Sequence, residues 1–227
     1  MTAPAKSNTA ESDTTLLVIA KQPVPGRVKT RLVPPCTYAQ AASLAEAALA
    51  DTLRAVLMTP ARRRVLILDG QPGPWLPPGF DIVPQCAGPL DERLAAAFAS
   101  MSGPALLIGM DTPQVTPALL TVDWETADAA FGPAADGGFW ALGLRTPDSA
   151  LLRGVPMSTA ATGAIQRARL LAAGLRILDL PQLRDVDTAA DAVAVGRQVP
   201  RSRFAARTRE LATVLRSADD DLLEETA

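Results

Sequence analysis

Four aspartates and a run of cations are the residues of this sequence best suited to chemistry, and their spacing suggests a divalent cation holding phosphate oxygens. Asp111 closes Gly109-Met110-Asp111, directly after the apolar run Ala105-Leu106-Leu107-Ile108, and Pro113 follows it. A carboxylate at the carboxyl end of a buried strand sits over the ligand crevice of an open α/β sheet. Mg²⁺ favours one or two carboxylates together with phosphate oxygens and water. The plainer alternative for Asp111 is a turn or N-cap aspartate. Asp185 and Asp187 lie in Leu183-Arg184-Asp185-Val186-Asp187-Thr188. In an extended segment their side chains point to the same side and can face one cation; Asp187 can also cap the helix expected from Thr188. Asp136 precedes Gly137 and Gly138, a pair that allows close approach of backbone to a ligand or a simple hairpin turn.

The cations Lys21, Arg27, Lys29 and Arg31 fall within eleven residues, in the segment Ala20–Leu32 that leaves the apolar run Leu16-Leu17-Val18-Ile19. A basic loop at the end of a first strand is where open α/β sheets bind anions. Gly26-Arg27-Val28-Lys29-Thr30 matches a Walker A motif only in part, because no glycine directly precedes the lysine. The loop does not clearly open a helix either, so a P-loop NTPase is rejected. What remains is Arg31, suited to bidentate contact with phosphate, and Lys29, suited to a point-charge contact. A solvated surface loop is the alternative.

The rest of the composition narrows the field. The chain has no histidine, which excludes a Ser-His-Asp triad, a Cys-His dyad and histidine-ligated zinc. Its net charge of -2 argues against bulk nucleic-acid binding. Cys36 and Cys86 stand apart with no C-x-x-C pattern, which fits two isolated thiols in a reducing, cytoplasmic setting. No apolar run reaches the ~18 residues needed to span a bilayer, and the polar stretch Met1 to Asp13 lacks the apolar region of a signal peptide. Neither a membrane nor a nucleic acid is expected as a partner.

The elements that must position these residues follow from periodicity. Thr15–Ala20 reads as a first strand. Tyr38 to Met58 reads as a helix, with Ala41, Leu44, Ala45, Ala48, Leu49, Leu53 and Val56 on one face and Thr37 as its cap. Val65–Leu68, Ile82-Val83 and Ala105–Ile108 read as strands, and Leu90 to Met101 as a helix. Pro117 opens a short helix behind Thr116. Ala129–Phe131 and Phe139–Leu142 read as strands flanking Asp136. Thr159 to Ala173 reads as a helix stopped by Gly174, and Arg176–Leu178 as a strand. Helices over Thr188 to Val195 and Ser202 to Leu215 close the chain. Strands alternating with helices imply a mainly parallel sheet covered on both faces, and the strand pair around Asp136 breaks the alternation with an antiparallel member. With 227 residues and 48% hydrophobic content, a single domain over residues 14–216 is expected. Loose tails are expected at 1–13 and 217–227, the second acidic.

Taken together, these residues resemble a known family: the small bacterial GT-A-fold proteins described as glycosyltransferase-like or selenodomain-associated transferases. The family's A-K-x-P-x-P-G-x-V-K-T-R-L loop is matched by Ala20 to Leu32, and its G-x-D-x-P by Gly109 to Pro113. Its G-P-A-x-D-G-G-[YF]-x-x-x-G-L pattern is matched by Gly132 to Leu144, and its D-V-D-T by Asp185 to Thr188. The chain is also similar to the 2-phospholactate guanylyltransferases. The resemblance implies an α/β, single-domain, Rossmann-like GT-A fold, a three-layer sandwich around a mainly parallel mixed sheet. It implies Mg²⁺ or Mn²⁺ held by Asp111, Asp185 and Asp187, with Lys29, Arg31 and Asp111 as the catalytic group. It implies a nucleotide, an NTP or an NDP-sugar, against Ala20, Lys21, Gly26, Arg27, Lys29, Arg31, Arg93 and Asp111. A small-molecule acceptor is expected against Asp136, Gly137, Gly138 and Phe139, and a homodimer is compatible with the resemblance. Two departures stand out. A D-L-G-E-R-type block appears as Pro89-Leu90-Asp91-Glu92-Arg93, and Met157 precedes Ser158-Thr159 where relatives often carry tryptophan.

Three activities compete at this point. The first is nucleotidyl transfer from an NTP to a small phosphorylated acceptor with release of pyrophosphate. That acceptor is already ionised, so no histidine is required. The second is glycosyl transfer from a nucleotide-diphospho-sugar. It is marked in many such proteins by a D-x-D, and here residue 109 is Gly and residue 113 is Pro. The third is a non-catalytic nucleotide-binding module, which loss of the aspartates would mark; all are present.

Overall fold

The computed structural model describes residues 12–215. The expected tails lie outside that range, apart from Ser12 and Asp13. The first strand, β1 (Thr15–Lys21), runs through the middle of the molecule and pairs in parallel with β2 (Arg63–Asp69) and β4 (Ala105–Ile108). The short β3 (Asp81–Pro84) continues the parallel set beyond β2. On the other side, β6 (Phe139–Leu144) lies antiparallel to both β4 and β5 (Ala129–Pro133), and β7 (Ile177–Asp179) pairs in parallel with β5. The result is one seven-stranded sheet of order β3-β2-β1-β4-β6-β5-β7, and β6 is the antiparallel strand expected from the broken alternation around Asp136.

Alternation along β1 explains the layers. Leu16, Val18 and Ala20 face one side and join Leu49, Leu53 and Val56 of α1 (Tyr38–Met58) in one core. Leu17 faces the other side and joins Leu94 and Phe98 of α2 (Leu90–Ala99) and Leu170 of α3 (Thr162–Ala172) in a second core. Period-2 strands against period-3.6 helices thus give a helix–sheet–helix sandwich. The outer flank of α1 is covered by α4 (Ala189–Gln198) and α5 (Arg203–Glu210), through Leu44, Ala48, Ala192, Val195 and Phe204. Asp51 of α1 accepts from the backbone amides of Arg203 and Phe204, at 3.1 and 2.8 Å, and so helps to cap α5.

Local signals account for most element limits. Thr37 and Gln40 form a reciprocal capping box that starts α1 at Tyr38. Thr188 and Asp191 do the same for α4, so the cap of that helix is Thr188, and Asp187 is left to the site. α3 begins at Thr162 rather than Thr159. Ser158 has φ +59, the Thr159 amide donates to the Thr162 hydroxyl, the two hydroxyls bond each other, and the Thr162 amide donates to the Thr159 carbonyl across a turn before the helix. α5 runs to Glu210, Leu211 interrupts it with a turn, and residues 212–215 are again helical, so the helix expected through Leu215 is broken at one residue. Among the described residues no helix is long and apolar enough to cross a membrane.

Candidate active site at the carboxyl ends of the strands

Because β1, β4, β5 and β7 all run in one direction, their carboxyl ends share one edge of the sheet. From that edge come the basic loop after β1, Asp111 after β4, Asp136 after β5, and Asp185 and Asp187 after β7. They surround a cleft of about 710 Å³, within the ~300–1,000 Å³ typical of small-molecule sites.

The basic loop is pinned by its apolar residues. Val28 packs on Ala42 and Ala45 of α1, and Leu32 is fully buried against α1 and α4. Between them Lys29 adopts a left-handed backbone, φ 47 and ψ 42. That conformation is costly for a residue with a Cβ and tends to persist where the surroundings over-determine it. It sends the side chain inward. The Lys29 Nζ donates to Asp111 Oδ2 and to Asp187 Oδ1, each at 2.8 Å, with only 12% of the side chain exposed. Arg31 Nη1 donates to Asp187 Oδ2 at 3.0 Å, yet its side chain is 76% exposed. The two cations named from sequence therefore play different parts: Lys29 is buried among carboxylates, and Arg31 reaches over the cleft from solvent.

The acidic segment 184–187 lies outside regular helix and strand, after an isolated bridge at Leu183. Val186 is buried in the α1–α4 core, and its amide donates to the Asp111 carbonyl at 3.1 Å. That anchor turns Asp185 and Asp187 to the cleft. One oxygen from each of Asp111, Asp185 and Asp187 lies within 4.8 Å of the others. Burial pushes the Asp185 carboxyl up to about 6, and the nearby Asp136, Asp111 and Asp187 charges push the same way. Burial also acts to raise Asp187, but Lys29 and then Arg31 outweigh it and hold that carboxyl below its ordinary value. For Lys29, burial disfavours the ammonium, and the attraction of Asp111 and Asp187 more than reverses this. Among the described residues no cation lies within ion-pairing distance of Asp185.

Asp136 serves a turn and the cleft together. Its Oδ1 accepts from the Gly138 amide at 2.8 Å, in the hairpin between β5 and β6. Gly137 has φ +89, and a Cβ there would collide with the Ala160 carbonyl. Gly137 and Gly26 do not line the cleft; they shape the backbone that does. Asp136, Gly138 and Phe139 line it, as do Ala20, Lys21, Arg27 and Arg93. In the altered Pro89–Arg93 block, Asp91 accepts from the Gly154 amide and Glu92 pairs with Arg153, so both acids tie α2 to the 149–154 segment. Leu90 of this block also lines the cleft, and Arg93 is the one charged residue of the block that does. There it meets Gln85, a residue the sequence reading did not single out. Gln85 donates to the carbonyls of Ala20 and Ile67 at 2.7 and 3.2 Å, and its Oε1 accepts from Arg93 Nη1 at 3.0 Å. A lone glutamine after a short strand carries no sequence signal for this.

The donor set fits a divalent cation. Three hard carboxylate groups converge, and an ammonium already bridges two of them as a stand-in positive charge. That chemistry suits Mg²⁺ or Mn²⁺.

A nucleotide-diphospho-sugar-transferase-like α/β fold with its polar cleft at the strand ends is the class these features define. The chain belongs to the family described as an uncharacterized protein conserved in bacteria (DUF2064), whose model matches residues 43–159. That stretch includes Asp111 and Asp136 but neither Lys29 nor the Asp185/Asp187 pair. No curated protein sequence matches the chain. Among solved structures, a candidate nucleotide-diphospho-sugar transferase from Desulfovibrio desulfuricans G20 is 27% identical, with TM-score 0.82, over 91% of this chain and 98% of that one. CMP:2-keto-3-deoxy-manno-octonic acid synthetase complexed with CTP shares the fold at 12% identity and TM-score 0.52, over 88% of this chain and 100% of that one. The 2-C-methyl-D-erythritol 4-phosphate cytidylyltransferase of Thermus thermophilus does so at 17% identity and TM-score 0.50, over 81% of this chain and 97% of that one.

Proposed function

We propose that this chain is a divalent-cation-dependent, nucleotide-using transferase that moves a nucleotidyl group from an NTP to a small phosphorylated acceptor. The observation that carries the reading is the convergence of Asp111, Asp185 and Asp187 within 4.8 Å, beside Lys29 and Arg31, in one strand-end cleft. The fold shared with CTP-using synthetases supports a nucleotide in that cleft.

In the proposed reaction an acceptor phosphate oxygen forms a bond to the α-phosphorus, and the bond from that phosphorus to the bridging oxygen of the β-phosphate breaks. Pyrophosphate leaves with that electron pair. Asp111, Asp185 and Asp187 would hold the cation, which supplies neutralisation of phosphate charge when bound. Arg31 and Arg27, both exposed at the rim, hold leaving phosphate oxygens. Arg93, steadied by Gln85, faces the nucleotide side of the cleft. Asp136, Gly138 and Phe139 form the acceptor side. No general base is needed, because the attacking phosphate is already ionised.

Glycosyl transfer is the second reading, favoured by the likeness to the Desulfovibrio protein. A hydroxyl acceptor then requires a base, and Asp136 is suited to it, with one carboxylate oxygen left over from its turn. Products separate the two readings: nucleotidyl transfer releases pyrophosphate only when an acceptor is present, and glycosyl transfer releases an NDP from an NDP-sugar. Asp111→Ala is expected to abolish whichever activity is found. Full activity of that variant in EDTA would exclude the cation mechanism.

A further inference from the structure

The environment of Lys29 poses a problem for the proposed site. The ammonium fills the space between Asp111 Oδ2 and Asp187 Oδ1, at 2.8 Å from each. A divalent cation binds carboxylate oxygens at about 2.0–2.6 Å. An ion on these two oxygens would lie against the ammonium, with like charges in contact in a partly dry site. Both cannot hold the pair at once. Asp185, the third carboxylate, has no ammonium or guanidinium partner among the described residues. The cluster is therefore compensated on one side and uncompensated on the other.

The lysine is built to leave. Its four-carbon stem is flexible and its three donors rotate freely, while its backbone is held in the left-handed region by Val28 and Leu32 on either side. A change of side-chain torsions alone can carry the ammonium from the carboxylates to a ligand's phosphates.

We propose that Lys29 is an exchangeable internal counterion: a divalent cation displaces it from Asp111 and Asp187, and the freed ammonium transfers to the ligand's phosphates. This rests on the reading that a cation and a nucleotide polyphosphate share the cleft. Each ligand alone meets an obstacle that the other removes. The cation must break two ion pairs, and the polyphosphate must draw Lys29 away from two carboxylates. Binding is consequently cooperative, and the enzyme discriminates against free cation and cation-free nucleotide.

The test compares the full chain with Lys29→Met, Lys29→Arg and Asp111→Asn. Mn²⁺ binding without nucleotide is followed by loss of the free-ion EPR signal, and binding of inorganic tripolyphosphate in EDTA by calorimetry. Lys29→Met is expected to bind Mn²⁺ about tenfold more tightly than the wild type, an ordinary size for a coupling of this kind, and tripolyphosphate more weakly. Lys29→Arg is expected to keep the wild-type weakness for Mn²⁺. The Lys29→Met melting temperature is expected to fall in EDTA and to recover with Mn²⁺ by more than the wild type gains. In wild-type protein, the ¹⁵Nζ NMR signal of Lys29, protected by its two hydrogen bonds, is expected to shift when Mg²⁺ and tripolyphosphate are added together. If Asp111→Asn loses Mn²⁺ while Lys29→Met binds it no better than the wild type, the exchange is refuted and the cation site stands. If Asp111→Asn leaves Mn²⁺ binding intact, the cation does not use this cluster, and both readings fail.

Discussion

Asp185→Asn is expected to make the protein more stable in the absence of a cation. Asp185 sits half-buried beside three other carboxylates, and its carboxyl is raised from 3.8 to about 6. A raised folded-state value means that the folded protein binds this proton more tightly than the unfolded chain does. Stability then falls as pH rises from about 4 to about 6 and stays reduced above that range. At about 1.4 kcal/mol per unit, a shift of about two units sets an upper limit near 3 kcal/mol. Residual solvent at the cleft lowers this to roughly 1–2 kcal/mol. The neutral amide escapes the penalty at pH 7 and gains almost nothing at pH 4, where the wild-type carboxyl is itself protonated in the folded state. Urea unfolding of both proteins in EDTA, at pH 4 and pH 7, measures the difference directly. A variant that is equally or less stable than wild type at pH 7 would refute the electrostatic reasoning. A gain equal at both pH values would assign the effect to packing. The stabilised variant is also expected to bind Mn²⁺ more weakly, since it replaces one of the three carboxylates by a neutral amide oxygen.

Two further changes probe the two sides of the cleft. Gly137→Ala places a methyl group against the Ala160 carbonyl at a backbone φ of +89; overpacking of this kind costs about 1–3 kcal/mol, readable as a lower urea midpoint, and an unchanged midpoint would mean that the hairpin and the start of α3 can separate freely. Arg31→Ala is expected to weaken nucleotide binding by ~1.5–3 kcal/mol, the value of a charged hydrogen bond, with no loss of fold because the side chain is mostly exposed. Unchanged affinity by calorimetry would remove Arg31 from the phosphate contacts.

Much of the fold was legible because local signals agreed with one another. The limits of α1 followed from Thr37 at its start and an Ala/Leu period over 21 residues. The antiparallel β6 followed from two strands with only a glycine turn between them. Asp111 could be named because it comes just after an apolar run, Asp136 because two glycines follow it, and Asp185 and Asp187 because of their alternate spacing, and the common direction of the strands gathers these positions at one edge. What the sequence did not carry is the pairing of side chains far apart in the chain. Lys29 meets Asp111 and Asp187 across 82 and 158 residues, and its inward direction depends on a left-handed backbone that lysine has no intrinsic tendency to adopt. Gln85 gains its role only because the Ala20 and Ile67 carbonyls fix its amide. The start of α3 was misplaced by three residues because an unusual φ at Ser158 and a Thr159/Thr162 turn replaced an ordinary cap.

The central claim is that this cleft transfers a nucleotidyl group to a phosphorylated acceptor with the help of a cation on the aspartates. Its most direct test is product analysis of wild type and Asp111→Ala incubated with Mg²⁺, each of the four NTPs and a panel of small phosphorylated acceptors, with UDP- and GDP-sugars in parallel. The account predicts acceptor-dependent pyrophosphate release that vanishes in EDTA and in Asp111→Ala. Release of NDP from an NDP-sugar, with no pyrophosphate from any NTP, would contradict it.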